Sequence, residues 1–131
     1  METWSRETLR FLDSFFIIFH CLFSLFNASG WAFRKTRRLH LATVLITLFS
    51  WFILGIWHGW GYCFCTDWHW QVRNALGTPV TSWSYLHFLI EEVTGISLNP
   101  TLVDTTALLI LAVVSVLTVV LNVRDYKNRK L

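Results

Sequence analysis

The sequence predicts an all-α membrane fold: three spanning helices, with two short interfacial helices in the loop between the second and the third. Three observations predict it. The 131 residues are 54% apolar and 17% aromatic with only 15% charged, too greasy for an ordinary soluble chain of one-domain length. The apolar residues fall in blocks, since 11–26 and 39–57 hold almost no charge and 105–123 hold none. Each block is close to or within the roughly 17–25 residues that cross a hydrocarbon core as helix. Finally, eight of the eleven Lys and Arg lie in two clusters beside these blocks, Arg34, Lys35, Arg37 and Arg38, then Arg124, Lys127, Arg129 and Lys130.

A soluble helix would need a polar face at the 3.6-residue period, and residues 107–121, interrupted only by Ser115 and Thr118, have none. The basic clusters also argue against nucleic acid as partner, because flanking Lys and Arg mark the cytoplasmic ends of spans. The first loop and the C-terminus are therefore expected inside, and the N-terminus and residues 59–100 outside. Seven of the eight acidic residues then fall on the outer side with only Arg6, Arg10 and Arg73. Reading the first block as a signal peptide cleaved near Ala28-Ser29-Gly30 fails on charge. Glu2, Arg6, Glu7 and Arg10 sum to zero where a positive segment is needed, and cleavage would carry Arg34 to Arg38 across the membrane.

The single membrane domain, 1–131, then reads in order. Trp4 anchors at the interface, Ser5 caps the first helix and Glu7 suits its first turn. That span covers about 9–27, with Asp13 near its outer end and His20 and Cys21 near mid-depth, where an ionisable group faces protein or water. Asn27 to Gly30 breaks the helix, and Trp31 to Arg38 forms the inner loop, with His40 interfacial behind it. The second span covers about 39–59; Gly55 and Gly59 offer a weak G-x-x-x-G face.

Residues 60–99 form an extracytoplasmic lid. Thr66 or Asp67 is expected to cap a helix over 68–76, with Trp68, Val72, Ala75 and Leu76 on its apolar face, His69 and Arg73 opposite, and Gly77 and Pro79 as the stop. Thr81 or Ser82 caps a second helix, striped by Tyr85, Leu86, Leu89, Ile90 and Val93 and ending at Gly95. It is too short, and with Glu91 and Glu92 too charged, to cross a bilayer. Asn99 caps the third span, about 101–123, with Pro100 at its first position.

Chemistry concentrates between Trp57 and Trp70, which hold four of the eight Trp, two of the three Cys and two of the five His. The candidate ligand-binding set is His58, Trp60, Tyr62, Cys63, Asp67, Trp68, His69 and Trp70, joined at the same outer depth by Asp13 and Asp104. Cys63, Cys65, His58 and His69 suit zinc or copper by donor type, although C-x-C lacks the loop geometry of a C-x-x-C knuckle. A Cys63–Cys65 bridge would close a small strained ring and be easily reduced. Asp67 with His69, His87 with Glu91, and Asp104 offer acid–base pairs. Haem needs a second histidine at the depth of His20, and His40 and His58 lie elsewhere.

The plainer account is an aromatic belt of Trp51, Trp57, Trp60, Tyr62, Trp68, Trp70 and Trp83, with Asp67 as a cap. The dense alternation of Trp, Gly, Cys, Asp and His exceeds what anchoring needs. A small pocket under the lid could take a lipid, quinone or other amphipathic molecule.

Trp60, Gly61, Cys63 and Thr66, followed by Asp67-Trp68-His69-Trp70 and set between the basic loop and the Asn99-Pro100 span, carry a resemblance. The chain resembles a family of small bacterial polytopic membrane proteins, domain of unknown function twenty-seven eighty-four. In that family the second span runs into a Trp-Gly, Cys-Pro and Thr segment and then an amphipathic stretch. Phe64 stands where many members have Pro, and Cys65 is a further departure. The resemblance implies a bacterial inner membrane protein and, since no activity is established for the family, no catalytic residues; it leaves any cofactor open.

The leading expectation is a non-enzymatic membrane protein, either an accessory component with a membrane protein partner or a binder of a lipid- or quinone-like ligand at the outer leaflet. The rival is a metal or thiol redox protein using Cys63, Cys65, Asp67 and His69.

Overall fold

A computed structural model describes residues 3–58, 63–80, 82 and 84–130, without the side chains of 58, 64 and 130. Trp60 and Tyr62 of the candidate set, the side chain of His58, Gly59, Thr81 and Trp83 therefore lie outside the described residues.

Helix α1 is Arg6–Ser29. Ser5 caps it as expected, its hydroxyl accepting the Thr8 amide at 3.2 Å. Two single 3-10 turns, Gly30–Ala32 and Arg34–Thr36, reverse the chain into α2, Arg37–Leu48, which continues through a π-helical turn, Phe49–Leu54, to a last turn at Gly55–His58. Helix α3 is Phe64–Ala75, α4 is Tyr85–Thr94 and α5 is Pro100–Lys130. The described residues contain no strand. Three stretches, Arg6–Ala32, Arg34–Trp57 and Pro100–Arg129, are long and apolar enough to cross a membrane. Their outward side chains, such as Phe11, Leu22, Leu25 and Val116, are apolar and exposed. Lipid is the solvent such a surface fits.

The caps needed revision in two places. Helix α3 begins at Phe64, after Cys63 in extended conformation, so Cys63 rather than Thr66 or Asp67 is the cap residue and Asp67 sits in the first turn. Helix α4 is capped by Ser84, whose hydroxyl accepts the His87 amide at 3.2 Å, and Ser82 instead supports Ser84 from outside the helix. The stops are as expected: Gly77 and Gly95 adopt φ of 77° and 74°, left-handed values that suit glycine. Asn99 caps α5, its side-chain oxygen accepting the Thr101 and Leu102 amides. This helix runs past the expected end near 123. Its 31 residues reach about 46 Å, well beyond a core roughly 30 Å thick, so its basic end extends out of the bilayer as helix.

The buried faces also differ from expectation. On α3 the protein-facing residues are His69, Val72 and Leu76, with Arg73 largely covered, while Trp68 is half exposed. The polar residues turn inward because α1 offers them a carboxylate. On α4 the buried positions are His87, Phe88 and Leu89, and Val93 is exposed.

Two apolar clusters hold the bundle. Leu9, Phe16, Val72 and Leu76 join α1 to the lid helix α3, and Val44, Leu111 and Val114, with Trp31, Leu48 and Trp51 against them, join α2 to α5. At the opposite end from the lid, Arg37 grips Asp125 with two bonds of 3.0 and 3.2 Å, and its carbonyl accepts the Asn122 amide.

His40 is not interfacial as expected. It is fully buried, its Nε2 donating to the Asn27 carbonyl at 2.7 Å, because the turn folds it back against α1. A Cβ on Gly30 would lie 2.9 Å from both His40 Cδ2 and Phe26 Cε2. Gly30→Ala is accordingly expected to destabilise by about 1–3 kcal/mol, the usual range for overpacking. Thermal unfolding in detergent measures it, and an unchanged midpoint would mean that the two rings move aside freely.

Candidate functional site

The lid meets α1 through a chain of hydrogen bonds that runs from a carboxylate to a buried imidazole. Asp13, Phe16 and His20 follow one another at three and four residues, which puts them on one face of α1. Asp13 Oδ1 lies 2.6 Å from His69 Nε2, His69 Nδ1 lies 2.9 Å from the Tyr85 hydroxyl, and that hydroxyl lies 2.9 Å from His20 Nδ1. His20 Nδ1 is also 2.8 Å from the Phe16 carbonyl.

These distances admit one consistent set of protons with neutral imidazoles. A carboxylate only accepts, so His69 carries its proton on Nε2 and donates to Asp13; its Nδ1 must then accept from Tyr85. The Phe16 carbonyl also only accepts, so His20 carries its proton on Nδ1 and shares it between that carbonyl and the Tyr85 oxygen. His20 Nε2 is left as an acceptor. It is buried and without a hydrogen-bond partner among the described residues, on a side chain more than nine-tenths covered.

Packing fixes the members of this chain. His69 is fully buried, stacked on Phe16 with ring centroids 5.5 Å apart and met edge-on by Phe88 at 5.7 Å. Trp70 meets Tyr85 and Phe88 edge-on at 5.1 and 5.5 Å. Arg73 reaches Asp13 Oδ2 at 3.4 Å and lies over the Phe88 ring at 5.0 Å. Asp104, at the start of α5, accepts the Ser84 hydroxyl at 2.5 Å and so ties the capped end of α4, where Tyr85 stands, to the third span.

Electrostatics follow burial. Burial lowers the affinity of His69 for a proton below the ordinary value, against the pull of Asp13. Burial, followed by the nearby thiols and Asp13, pushes the Tyr85 hydroxyl up, so it stays protonated and can donate. Burial works to raise the Cys63 thiol, but the polar groups of His20 and Thr66 around it outweigh that and bring it down to about 7. Burial and the neighbouring Cys63 push Cys65 up to about 11. All three cysteines are free.

Thiolate is the reactive form. Cys63 should therefore be alkylated with a pH midpoint near 7, and Cys65 should stay unreactive until far more alkaline pH. Following maleimide incorporation against pH in the Cys21→Ser protein tests this, and equal labelling of both residues at pH 7 would contradict it.

Of the candidate set, the fold brings Asp13 and His69 into direct contact, with Trp70 against the same chain and Cys63 under the influence of His20. Asp104 serves the neighbouring cap, Trp68 is half exposed, and Asp67 occupies the first turn of α3. His20, Tyr85 and Arg73 were missed as site residues. The spacing of Asp13 and His20 along an otherwise apolar helix was the available signal. No group of three or more metal-ligating side chains forms among the described residues. The two described cavities do not lie under the lid; they are lined by the basic residues 34–38 with α5 and by Trp31 with α5.

A family model described as Protein of Unknown function (DUF2784) matches residues 10–123. No curated protein and no solved structure matches the chain.

Proposed function

This chain belongs to the family described as Protein of Unknown function (DUF2784), and from that premise we propose that it binds an amphipathic molecule with a hydroxyl head, of the hydroquinone or lipid class, beneath its lid. The observation that carries this reading is His20 Nε2, buried and without a partner at hydrogen-bond distance among the described residues, with the Cys63 thiol beside the ring. A buried acceptor without a donor costs about 1–3 kcal/mol, and a ligand hydroxyl would recover that cost. Phe16, Phe19 and Tyr85 around the imidazole suit a flat or greasy body behind the head. An accessory role in a larger assembly has no comparable support from individual residues.

The probe is a short-chain benzohydroquinone against its oxidised quinone, read by quenching of tryptophan fluorescence in the purified protein. The hydroquinone, a donor, should bind at least fivefold more tightly, and His20→Phe should abolish the difference. Equal binding of both forms, or none, would overturn the reading.

The proposal extends to place. The resemblance to small bacterial membrane proteins suggests a single multi-pass domain in a bacterial inner membrane, and the distribution of Lys and Arg supports an orientation with the N-terminus and lid outside, Trp57 and Trp68 in an outer aromatic belt, and the C-terminus cytoplasmic. A Thr78→Cys variant should then react with a membrane-impermeant maleimide in cells with a permeabilised outer envelope; protection there would reverse the orientation.

A further inference from the structure

The hairpin end of the bundle, opposite the lid, carries two adjoining cavities with contrasting linings. One, of about 170 Å³, is lined by Arg34, Lys35, Arg37, Arg38, Asn122 and Arg129, with Asp125 as the one carboxylate among its described residues. Asp125 is engaged by Arg37, so four cations remain in excess. The other, of about 310 Å³, is an apolar groove between the end of α1 and α5, walled by Ala28, Trp31, Ile110, Val114 and Leu117.

The two share α5 but not one face of it: the groove takes Leu109, Ile110, Val113, Val114 and Leu117, and the cavity takes Asn122, Asp125 and Arg129, turned by roughly a third of a revolution about the helix axis. Ile110, Val114 and Leu117 of the groove are followed by Asn122, Asp125 and Arg129 of the cationic cavity at steps of three to five residues. From Ile110 to Asp125 the helix rises about 22 Å. The join is fixed, because Arg37 Nε donates to the Trp31 carbonyl at 2.9 Å while its Nη1 holds Asp125. An apolar groove at the level of the hydrocarbon, with an anion-seeking cavity beyond it toward the end of the same helix, has the charge order of one phospholipid.

We propose that this end binds a single anionic glycerophospholipid, its phosphate head in the cationic cavity and an acyl chain along the Trp31 groove. Arg34 and Arg38 supply charge and forked donors to the phosphate oxygens, and Asn122 and the Arg37–Asp125 pair form the floor. The inference does not depend on what the lid binds, since the two sites lie at opposite ends of the spans.

The test is native mass spectrometry of the full chain, released from detergent with phosphatidylglycerol, phosphatidylcholine or inorganic phosphate as probe. One phosphatidylglycerol should be retained at least tenfold better than phosphatidylcholine, and inorganic phosphate should not displace it. A cation at an anionic lipid surface is worth roughly fivefold in binding, so Arg34→Gln with Arg38→Gln should weaken retention about twentyfold. Val113→Phe, which fills the groove from an exposed position, should weaken the long-chain lipid and spare a short-chain analogue. Thermal unfolding confirms that each variant is folded. Equal retention of the two lipids would overturn the proposal, and displacement by phosphate alone would mark a free-anion site instead.

Discussion

Replacing Asp13 by leucine is expected to cost about 3–5 kcal/mol, the range for removing one partner of a buried ion-paired network. The loss has two parts. His69 is fully covered and its Nε2–H would have no acceptor among the described residues, where Arg73 would keep Glu92, 3.8 Å away and partly exposed, and the face of Phe88. Asp13→Asn should cost less, about 1–3 kcal/mol, because an amide oxygen still accepts from His69. Chemical unfolding followed by tryptophan fluorescence in detergent separates the two variants. If Asp13→Leu stayed within half a kcal/mol of the parent, roughly the scatter of ordinary surface substitutions, the carboxylate would not be holding the lid.

The pH dependence carries a definite sign. The imidazole of His69 has a lowered proton affinity when folded, whereas the unfolded chain takes up a proton near the ordinary value of about 6.5. Its contribution is therefore complete above that pH and declines as pH falls through it toward the folded value. Asp13 resists this decline by stabilising the imidazolium, so Asp13→Leu should be more acid-sensitive than the parent. A variant equally stable at pH 5 and pH 8 would show that His69 does not respond in this way.

Removing the hydroxyl of Tyr85 is the second large effect. Tyr85→Phe keeps the ring against Trp70 and Phe88 but cuts the chain at its centre. His69 Nδ1 loses its donor, while His20 Nδ1–H keeps the Phe16 carbonyl. The expected cost is about 1–3 kcal/mol for one buried acceptor left bare. The Phe16 carbonyl still holds the His20 proton on Nδ1, so Nε2 stays an acceptor and the preference for a hydroxyl-bearing probe should survive Tyr85→Phe. Tyr85→Phe and Asp13→Leu should combine with less than additive cost, since each breaks the same network. Strict additivity in a double-mutant cycle would argue that the two act separately.

The spans and their ends were legible because they rest on local rules: apolar blocks of bilayer length, Ser5 and Asn99 as caps, Gly77 and Gly95 as stops. The inward turn of His69 and Arg73 was not. Amphipathic reasoning assigns polar residues to the solvent face, and only the presence of Asp13 on a helix fifty-six residues away makes the opposite choice favourable. His40 misled for the same reason, since its carbonyl partner belongs to the other arm of a hairpin. Asp13 and His69 could be grouped by depth, but depth does not say who touches whom. Tyr85 passed as a member of an apolar stripe because its ring does pack as one, and only its oxygen belongs to the site.

The π-helical turn at Phe49–Leu54 gives the second span a property its neighbours lack. Such a turn is equivalent to one residue inserted into a regular helix, and the excess is held as a local widening. Deleting one residue there would let the backbone relax to ordinary winding while His40 and Val44 below it and the last turn above it kept their angular settings. The same deletion in α1 or α5 would swing everything beyond it by about 100° and strip Asp13 or Asp125 of its partners. Length variation in this chain is thus tolerable at one level of the membrane and ruinous at the others.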